Sequence, residues 1–328
     1  MSDVLIEARG LTKSFVQSAG FNLFGGRRAI RAVSDVDLVM RRGEAVGLIG
    51  ESGSGKSTVG RLALGLLSPT AGVIRFADVD LATADAATMR GLRRRMQIIF
   101  QDPYSSLDPR RTVGDQIAEG LIIHGLGDAA ARKARVAELL AHVGLSPEHA
   151  SRYPAAFSGG QRQRIGIARA LAIAPELLVA DEPVSALDVS VQAQVLELLA
   201  HLRTELGLSL LFISHDLSAV RHLCDRIVVL YLGRVMEEGP TREVFANPRH
   251  PYTRALLSAM PTLSRADRRK REILKGDPPS PADPPSGCVF RTRCAHAVEL
   301  CAKSAPPPVT VGPAHRAACI LASPASGI

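Results

Sequence analysis

Residues 50–58 read Gly50-Glu51-Ser52-Gly53-Ser54-Gly55-Lys56-Ser57-Thr58, and this stretch decides the fold. Its glycines let the backbone turn so that successive N–H groups point at one centre, which suits a multiply charged phosphate. A helix predicted to start near Lys56 adds its positive dipole end. Lys56 supplies a point charge for β- and γ-phosphates, and the Ser57 hydroxyl suits Mg²⁺. Just before the stretch, Ala45-Val46-Gly47-Leu48-Ile49 reads as a short buried strand. Just after it, residues 59–67 read as an apolar-rich helix. A Gly/Ser-rich surface loop would lack that strand–loop–helix frame.

A phosphate loop needs a metal and a base, and the chain offers both further on. Leu177-Leu178-Val179-Ala180-Asp181-Glu182 is an apolar strand ending in two carboxylates. Asp181 is placed to hold Mg²⁺ through water, and Glu182 to orient and polarise an attacking water. Phe212-Ile213-Ser214-His215-Asp216 also ends a strand in polar residues. The C-terminal ends of parallel strands are where open α/β sheets bind ligands, so His215 is a candidate hydrogen-bond donor toward the γ-phosphate. Gln101, after Ile98-Ile99-Phe100, takes the same kind of position and could reach Mg²⁺ or the water. Ser158-Gly159-Gly160-Gln161 opens a predicted helix with a hydroxyl, an arrangement suited to a phosphate.

Strand and helix patterns alternate from residue 4 to about 245, which predicts an α/β fold with a buried sheet. Strands are expected at 96–100, 177–180, 208–213 and 227–231. Residues 114–144 read as two helices around Gly125-Leu126-Gly127, and 159–173 as a helix, giving a mostly helical subdomain at about 101–174. After Met260 the composition changes: within 261–286 a charged run and then Pro278, Pro279, Pro281, Pro284 and Pro285 suit a semi-rigid linker. Expected boundaries are an ATPase domain over 3–248 and an extension over 249–328, with a Cys-rich module at 287–328. No internal repeat is present.

The 328 residues carry a net charge of +8 and 46% apolar side chains. No run approaches the roughly 20 apolar residues of a spanning helix. The N-terminus lacks a secretory pattern, so the chain is expected in the cytosol, reaching a membrane through partners. Basic clusters at Arg27-Arg28, Arg93-Arg94-Arg95 and Arg268-Arg269-Lys270-Arg271 fit solvated surface or a face near an anionic leaflet. No recognition motif accompanies them, so nucleic acid is not an expected partner.

Taken together, Gly50–Thr58, Gln101, Ser158-Gly159-Gly160-Gln161, Asp181-Glu182, Ser185-Ala186-Leu187-Asp188 and His215 resemble the ATPase subunits of ABC transporters over residues 3 to about 248. The resemblance implies a P-loop ATPase core with a mixed sheet, using ATP and Mg²⁺. It also implies that two such domains meet head to tail. The phosphate loop of one and the Ser158–Gln161 segment of the other would clamp the same ATP, with Asp188 at the seam. Phe157 stands where the family usually has Leu. Phe15 stands where it often has Tyr stacked on adenine, and either stacking or core packing is open to it.

Gln101-Asp102-Pro103-Tyr104-Ser105-Ser106-Leu107-Asp108-Pro109, Pro183-Val184-Ser185-Ala186 and His250-Pro251-Tyr252-Thr253 narrow the likeness to oligopeptide/dipeptide (and nickel) importers. The Pro-Val-Ser-Ala wording and the inserted 21–28 stretch are similar to the second of that subfamily's two ATPase subunits. Implied partners are a second, non-identical ABC ATPase, two transmembrane permease subunits, and a periplasmic or extracellular substrate-binding protein. The implied place is peripheral, on the cytoplasmic face of the inner (plasma) membrane. A nickel or other small-solute importer is the alternative cargo class. A soluble ABC-type ATPase and a non-hydrolysing regulatory subunit are the alternatives of other kinds. Soluble relatives commonly carry two ATPase halves or a long coiled coil, which this chain lacks. Glu182 and His215 argue against a non-hydrolysing subunit.

Cys288, Cys294, Cys301 and Cys319 are separated by 5, 6 and 17 residues. Cytosolic disulfides are disfavoured, and the close cysteine pair of most zinc sites is missing. The importer subfamily carries this kind of C-terminal module, where it resembles a [4Fe–4S] site. A cluster, zinc or free thiols are the readings, with His296 and His315 as substitute ligands. Lying far in sequence from the ATP motifs, the module is expected to act on assembly or stability more than on nucleotide affinity. Cys224 is expected to be a buried helix residue.

Overall fold

The structure, a computed structural model, describes residues 3–17, 28–260, 272, 274 and 276–322. In chain order the main elements begin with β1 (Val4–Gln17), β2 (Arg28–Arg41), β3 (Ala45–Ile49), α1 (Lys56–Ala63), β4 (Ala71–Phe76) and β5 (Val79–Asp80). Then come α2 (Ala86–Arg95), β6 (Met96–Ile99), α3 (Val113–Ile123), α4 (Ala129–His142), α5 (Gly159–Leu171) and β7 (Leu177–Asp181). Next are α6 (Val189–Leu206), β8 (Ser209–Ile213), α7 (Leu217–Leu223), β9 (Arg226–Tyr231) and β10 (Arg234–Pro240). The chain ends with α8 (Thr241–Ala246), α9 (Pro251–Ser258), α10 (Leu300–Lys303), β11 (Val309–Gly312) and β12 (His315–Ala317).

The chain forms two compact units. The first holds residues 1–40, 46–82 and 215–328. One of its sheets has the order β2-β1-β4-β5, with Ile6 opposite Phe76 in the antiparallel β1–β4 pair. Its other sheet runs β11-β12-β10-β9-β3. There β3 and β9 are parallel, with Val46 opposite Arg226, and the remaining pairs are antiparallel. All five residues of β3 are buried, as expected of a strand covered on both faces. The last two strands bring the C-terminal extension onto the sheet through β12, which pairs with β10.

The second unit, 41–45 and 83–214, holds the parallel strands β6, β7 and β8, with Met96 opposite Leu177 and Leu177 opposite Ser209. The expected helical insertion is present as α3, α4 and α5. Each starts on a side-chain cap: Thr112 accepts from the Asp115 N–H, Asp128 from Ala131, and Ser158 from Gln161. Such caps satisfy backbone donors that a helix start leaves unpaired.

Three sequence expectations are corrected. Helix α1 starts at Lys56 as expected but stops at Ala63 rather than reaching 67, because Gly65 turns the chain with φ +62°. Cys224 is buried but caps α7 in an extended conformation rather than lying within it. The N-terminal half is not a simple strand–helix alternation, since β1, β2, β4 and β5 form their own sheet. The residues from 249 on lie in the first unit and extend its sheet through β12. The 21–28 insertion, except for the backbone of Arg28, the 268–271 basic cluster and most of the expected linker lie outside the described residues.

Candidate functional site

The phosphate loop sits in the first unit between β3 and α1. Gly55 has φ +102°, and a Cβ there would lie 2.3 Å from the Ala32 carbonyl oxygen. Only glycine fits both the conformation and the space. Lys56 is 5% exposed. Its ammonium donates to the carbonyls of Gly50 (2.8 Å) and Glu51 (3.0 Å), folded back along the loop. Ser54, 3% exposed, has a buried hydroxyl without a hydrogen-bond partner. A phosphate oxygen is a fitting acceptor for it, which suits the loop to the ligand read from its sequence. Phe15, also in this unit, is 40% exposed, with the Lys13 ammonium 5.3 Å from its ring centre, so it is not packed into the core. His215 is exposed directly after β8, and Asp216 caps α7.

In the second unit the structure brings Gln101 and Glu182 together: the Gln101 amide donates to the Glu182 carboxylate at 3.2 Å. Asp181 is 7% exposed at the end of β7. Glu182 has φ +49°, a left-handed conformation that a non-glycine residue adopts at a cost. Its N–H donates to the Ile213 carbonyl at 2.9 Å, which aims the residue at the C-terminal end of these strands. The oxygens of Asp181 and Gln101 are hard donors of the kind Mg²⁺ takes.

Ser158 and Gln161 form a reciprocal capping box at the start of α5, with contacts of 3.3 and 3.1 Å. Gly160 faces α6 so closely that a Cβ would lie 2.3 Å from Val191 Cγ1. Gly159 lies beside the Tyr104 hydroxyl, and the Arg162 guanidinium stacks 4.5 Å from the Tyr104 ring centre. Phe157 is buried, edge-on to His149. Asp188, Val189 and Ser158 are exposed, Val189 to 82%.

Sequence reasoning missed the side chains that pin the 101–111 loop. Buried Gln116 accepts from the Asp108 N–H at 2.8 Å and donates to the Asp108 and Arg111 carbonyls. Arg169 donates to the Ser106 carbonyl at 2.6 Å. It also missed a buried network under the phosphate loop. Glu237, fully buried, takes His315 Nε2 at 2.7 Å and the backbone N–H groups of Arg249 and His250 at 2.7 and 2.9 Å. The His-Pro-Tyr sequence at 250–252 was the available signal. His250 caps α9, and the Tyr252 hydroxyl accepts from the Glu51 N–H at 2.8 Å. Burial pushes that phenol well above its ordinary pKa.

In the extension, Cys288, Cys301 and Cys319 are buried and all four tail thiols are free. The Cys288 N–H donates to the Cys301 carbonyl at 2.8 Å. Burial pushes the Cys288, Cys294 and Cys319 thiols up, and other cysteines of the tail add to each shift. Among the described residues, no group of three or more His, Cys, Asp or Glu side chains is placed to hold a metal ion. Though far in sequence from the ATP motifs, the tail touches one of them. Arg293 forms a two-pronged ion pair with Glu51 of the phosphate loop, at 2.6 and 3.1 Å.

A phosphate loop after a buried strand, with a carboxylate pair ending a second strand, defines a P-loop ATPase. Residues 33–185 match the ABC transporter family, and residues 236–301 match the oligopeptide/dipeptide transporter C-terminal region. A putative peptide import ATP-binding protein of Brucella ovis is 53% identical over 316 residues, spanning 96% of this chain and 97% of the relative. The oligopeptide transport ATP-binding protein AppF of Bacillus subtilis is 48% identical over 325 residues, 98% of each chain. The ATP-binding cassette MJ0796, solved as a dimer in a post-hydrolysis state with ADP and Pi, aligns with a TM-score of 0.64 and 30% identity. That match spans 73% of this chain and 99% of the cassette. The chain belongs to the ABC-transporter ATP-binding subunits of oligopeptide/dipeptide import systems.

Proposed function

We propose that this chain binds and hydrolyses ATP to power peptide import through a membrane ABC transporter. The observation that carries the reading is the likeness to a peptide-transport ATPase along nearly the whole chain, extension included. Lys56, Ser54 and the loop N–H groups hold the phosphates, with Ser52 in the same loop and Thr58 in the first turn of α1. Ser57, Asp181 and Gln101 supply oxygens to Mg²⁺, which neutralises charge on the phosphates. Glu182 accepts the proton of the attacking water, Gln101 holds it in place, and His215 donates toward the γ-phosphate. Exposed Phe15 stacks on adenine.

Two subunits pair head to tail, so that Ser158, Gly159, Gly160, Gln161 and Asp188 face the nucleotide of the other. The exposure of Asp188 and Val189 supports a seam there. The mate is a second, non-identical ATPase. Two permease subunits and a periplasmic or extracellular binding protein complete the assembly, with this chain peripheral on the cytoplasmic face. A groove of about 470 Å³ in the second unit, with exposed Phe100 and Ile123 on its wall, supports a seat for a permease loop. No described helix is long and apolar enough to cross a membrane.

We take 3–248 as the ATPase domain and 249–328 as the extension. The four tail thiols carry a [4Fe–4S] cluster that staples a segment with a small core. The only support is the cysteine set itself: soft donors, mostly buried, close enough to raise one another's pKa. The apolar cluster of Ala317, Cys319 and Ala322 is small, which leaves a cross-link to supply stability.

Reconstitution with the permeases and mate ATPase in vesicles tests the function. Binding-protein-dependent uptake of labelled peptide, coupled to ATP hydrolysis, is the expected result. Uptake of nickel but not peptide would reassign the cargo. Undiminished ATPase activity of the proven monomer would overturn the paired site.

A further inference from the structure

Glu51, the residue after Gly50, is held at every polar group it has. Its carboxylate takes both arms of Arg293, Nη1 at 2.6 Å and Nη2 at 3.1 Å. Its N–H donates to the Tyr252 hydroxyl at 2.8 Å, and its carbonyl accepts from Lys56 at 3.0 Å. Two of these three holds come from beyond residue 248. They are themselves braced. The Arg293 side chain is 6% exposed, and it donates to the Tyr231 hydroxyl at 3.4 Å. Tyr231 packs edge to face with Tyr252 and Phe290, which are tilted against each other, with ring centres 4.8 to 5.3 Å apart. Tyr252 opens α9, whose cap His250 is tied to Glu237 and through it to His315 on β12.

We propose that Arg293 and Tyr252 are positioning residues of the ATP site, through which the C-terminal extension sets nucleotide affinity. Phosphate-loop N–H groups bind well only if they already point inward; a loop that must be ordered by its ligand loses affinity by the cost of ordering. Lys56 must leave the Gly50 and Glu51 carbonyls to reach a phosphate. A Glu51 fixed on its other two sides keeps the loop from following the departing ammonium. The paired guanidinium and carboxylate are short, two-pronged and shielded, so they define an orientation rather than merely attract. The inference rests on ATP binding at the loop.

Arg293→Lys keeps the charge but loses the fork. Tyr252→Phe removes a single oxygen and keeps the ring packing. Both are made in the full chain, alongside Arg291→Ala, which alters the same module at a residue whose guanidinium bonds Ser286. A fluorescent ATP analogue is titrated against each, and thermal unfolding is followed without nucleotide. Arg293→Lys and Tyr252→Phe are each expected to raise the dissociation constant about three- to tenfold. In the assembled transporter KM for ATP rises while kcat holds, and Arg291→Ala matches the parent. Parent-like affinity in a folded Tyr252→Phe overturns the proposal, and so does equal weakening by Arg291→Ala. If Arg293→Lys does not fold, Tyr252→Phe decides alone. A parent chain that fails to bind ATP would instead strike at the loop's own function.

Discussion

The Gln101 side-chain amide donates to the Glu182 carboxylate across 3.2 Å, joining the residue that opens the helical insertion to the one just after β7. Glu182→Gln keeps the shape and loses the proton acceptor. ATP binding is expected to persist while steady-state hydrolysis in the assembled transporter falls by about a hundredfold to ten-thousandfold. A rate close to the parent's would remove Glu182 from catalysis.

Lys56→Ala acts one step earlier. The buried ammonium now bonded to the Gly50 and Glu51 carbonyls is the loop's only side-chain charge for a phosphate. Nucleotide affinity should fall roughly ten- to a hundredfold, read by isothermal titration. Undiminished affinity would contradict the loop's role.

Gly160→Ala drives a Cβ to 2.3 Å from Val191 Cγ1, so the Val191 side chain must turn or α5 and α6 must separate. Loss of about 1 to 3 kcal/mol of stability is expected. Adding Val191→Ala should recover part of it. Chemical denaturation of the single and double variants gives the comparison, and an unchanged single variant would show that the Val191 side chain or the helices yield freely.

His250 supplies a pH dependence. Burial, offset by Glu237 and helped by Arg254, holds its imidazole down from 6.5 to about 4. The folded pKa lies below the unfolded one, so the unfolded chain takes up the proton first. Stability is full above pH 6.5 and is lost as pH falls toward 4, by about 3 kcal/mol. Protonation would also cost the acceptor for the Tyr252 N–H. His250→Asn keeps a capping side chain without the titration. Its unfolding midpoint should vary less with pH across that window, and an equally steep fall would clear His250.

Iron and sulfide analysis of anaerobically purified chain tests the tail, with about four of each per chain and a broad visible absorption expected. Stoichiometric zinc without iron would replace the cluster, and four freely alkylated thiols in the native protein would reject both.

Much of this site was written where chemistry allows few residues. Gly55 needs its φ of +102° against the Ala32 carbonyl, and the buried runs 45–49 and 177–181 can be little but inner strands. Ser158 with Gln161 three residues on is a readable capping box. Gly160 was legible as part of that segment, yet its reason, the approach of Val191, lies on another helix. The β2-β1-β4-β5 sheet was not legible, because antiparallel partners such as Ile6 and Phe76 are matched by space and not by spacing. The left-handed backbone of Glu182 leaves no mark on residue type. Nothing in a sequence pairs Arg293 with Glu51.

Those two residues are 242 positions apart. At typical synthesis rates of about 5 to 20 residues per second, roughly 12 to 50 seconds pass between the making of Glu51 and of Arg293. Throughout that time the loop can form between its strand and helix but lacks its lock. A chain cut short by a stalled ribosome or a clipped tail would carry every nucleotide motif and still hold its loop loosely. The segment that carries Arg293 would thus act as a late lock, since a chain without it lacks the Glu51 ion pair.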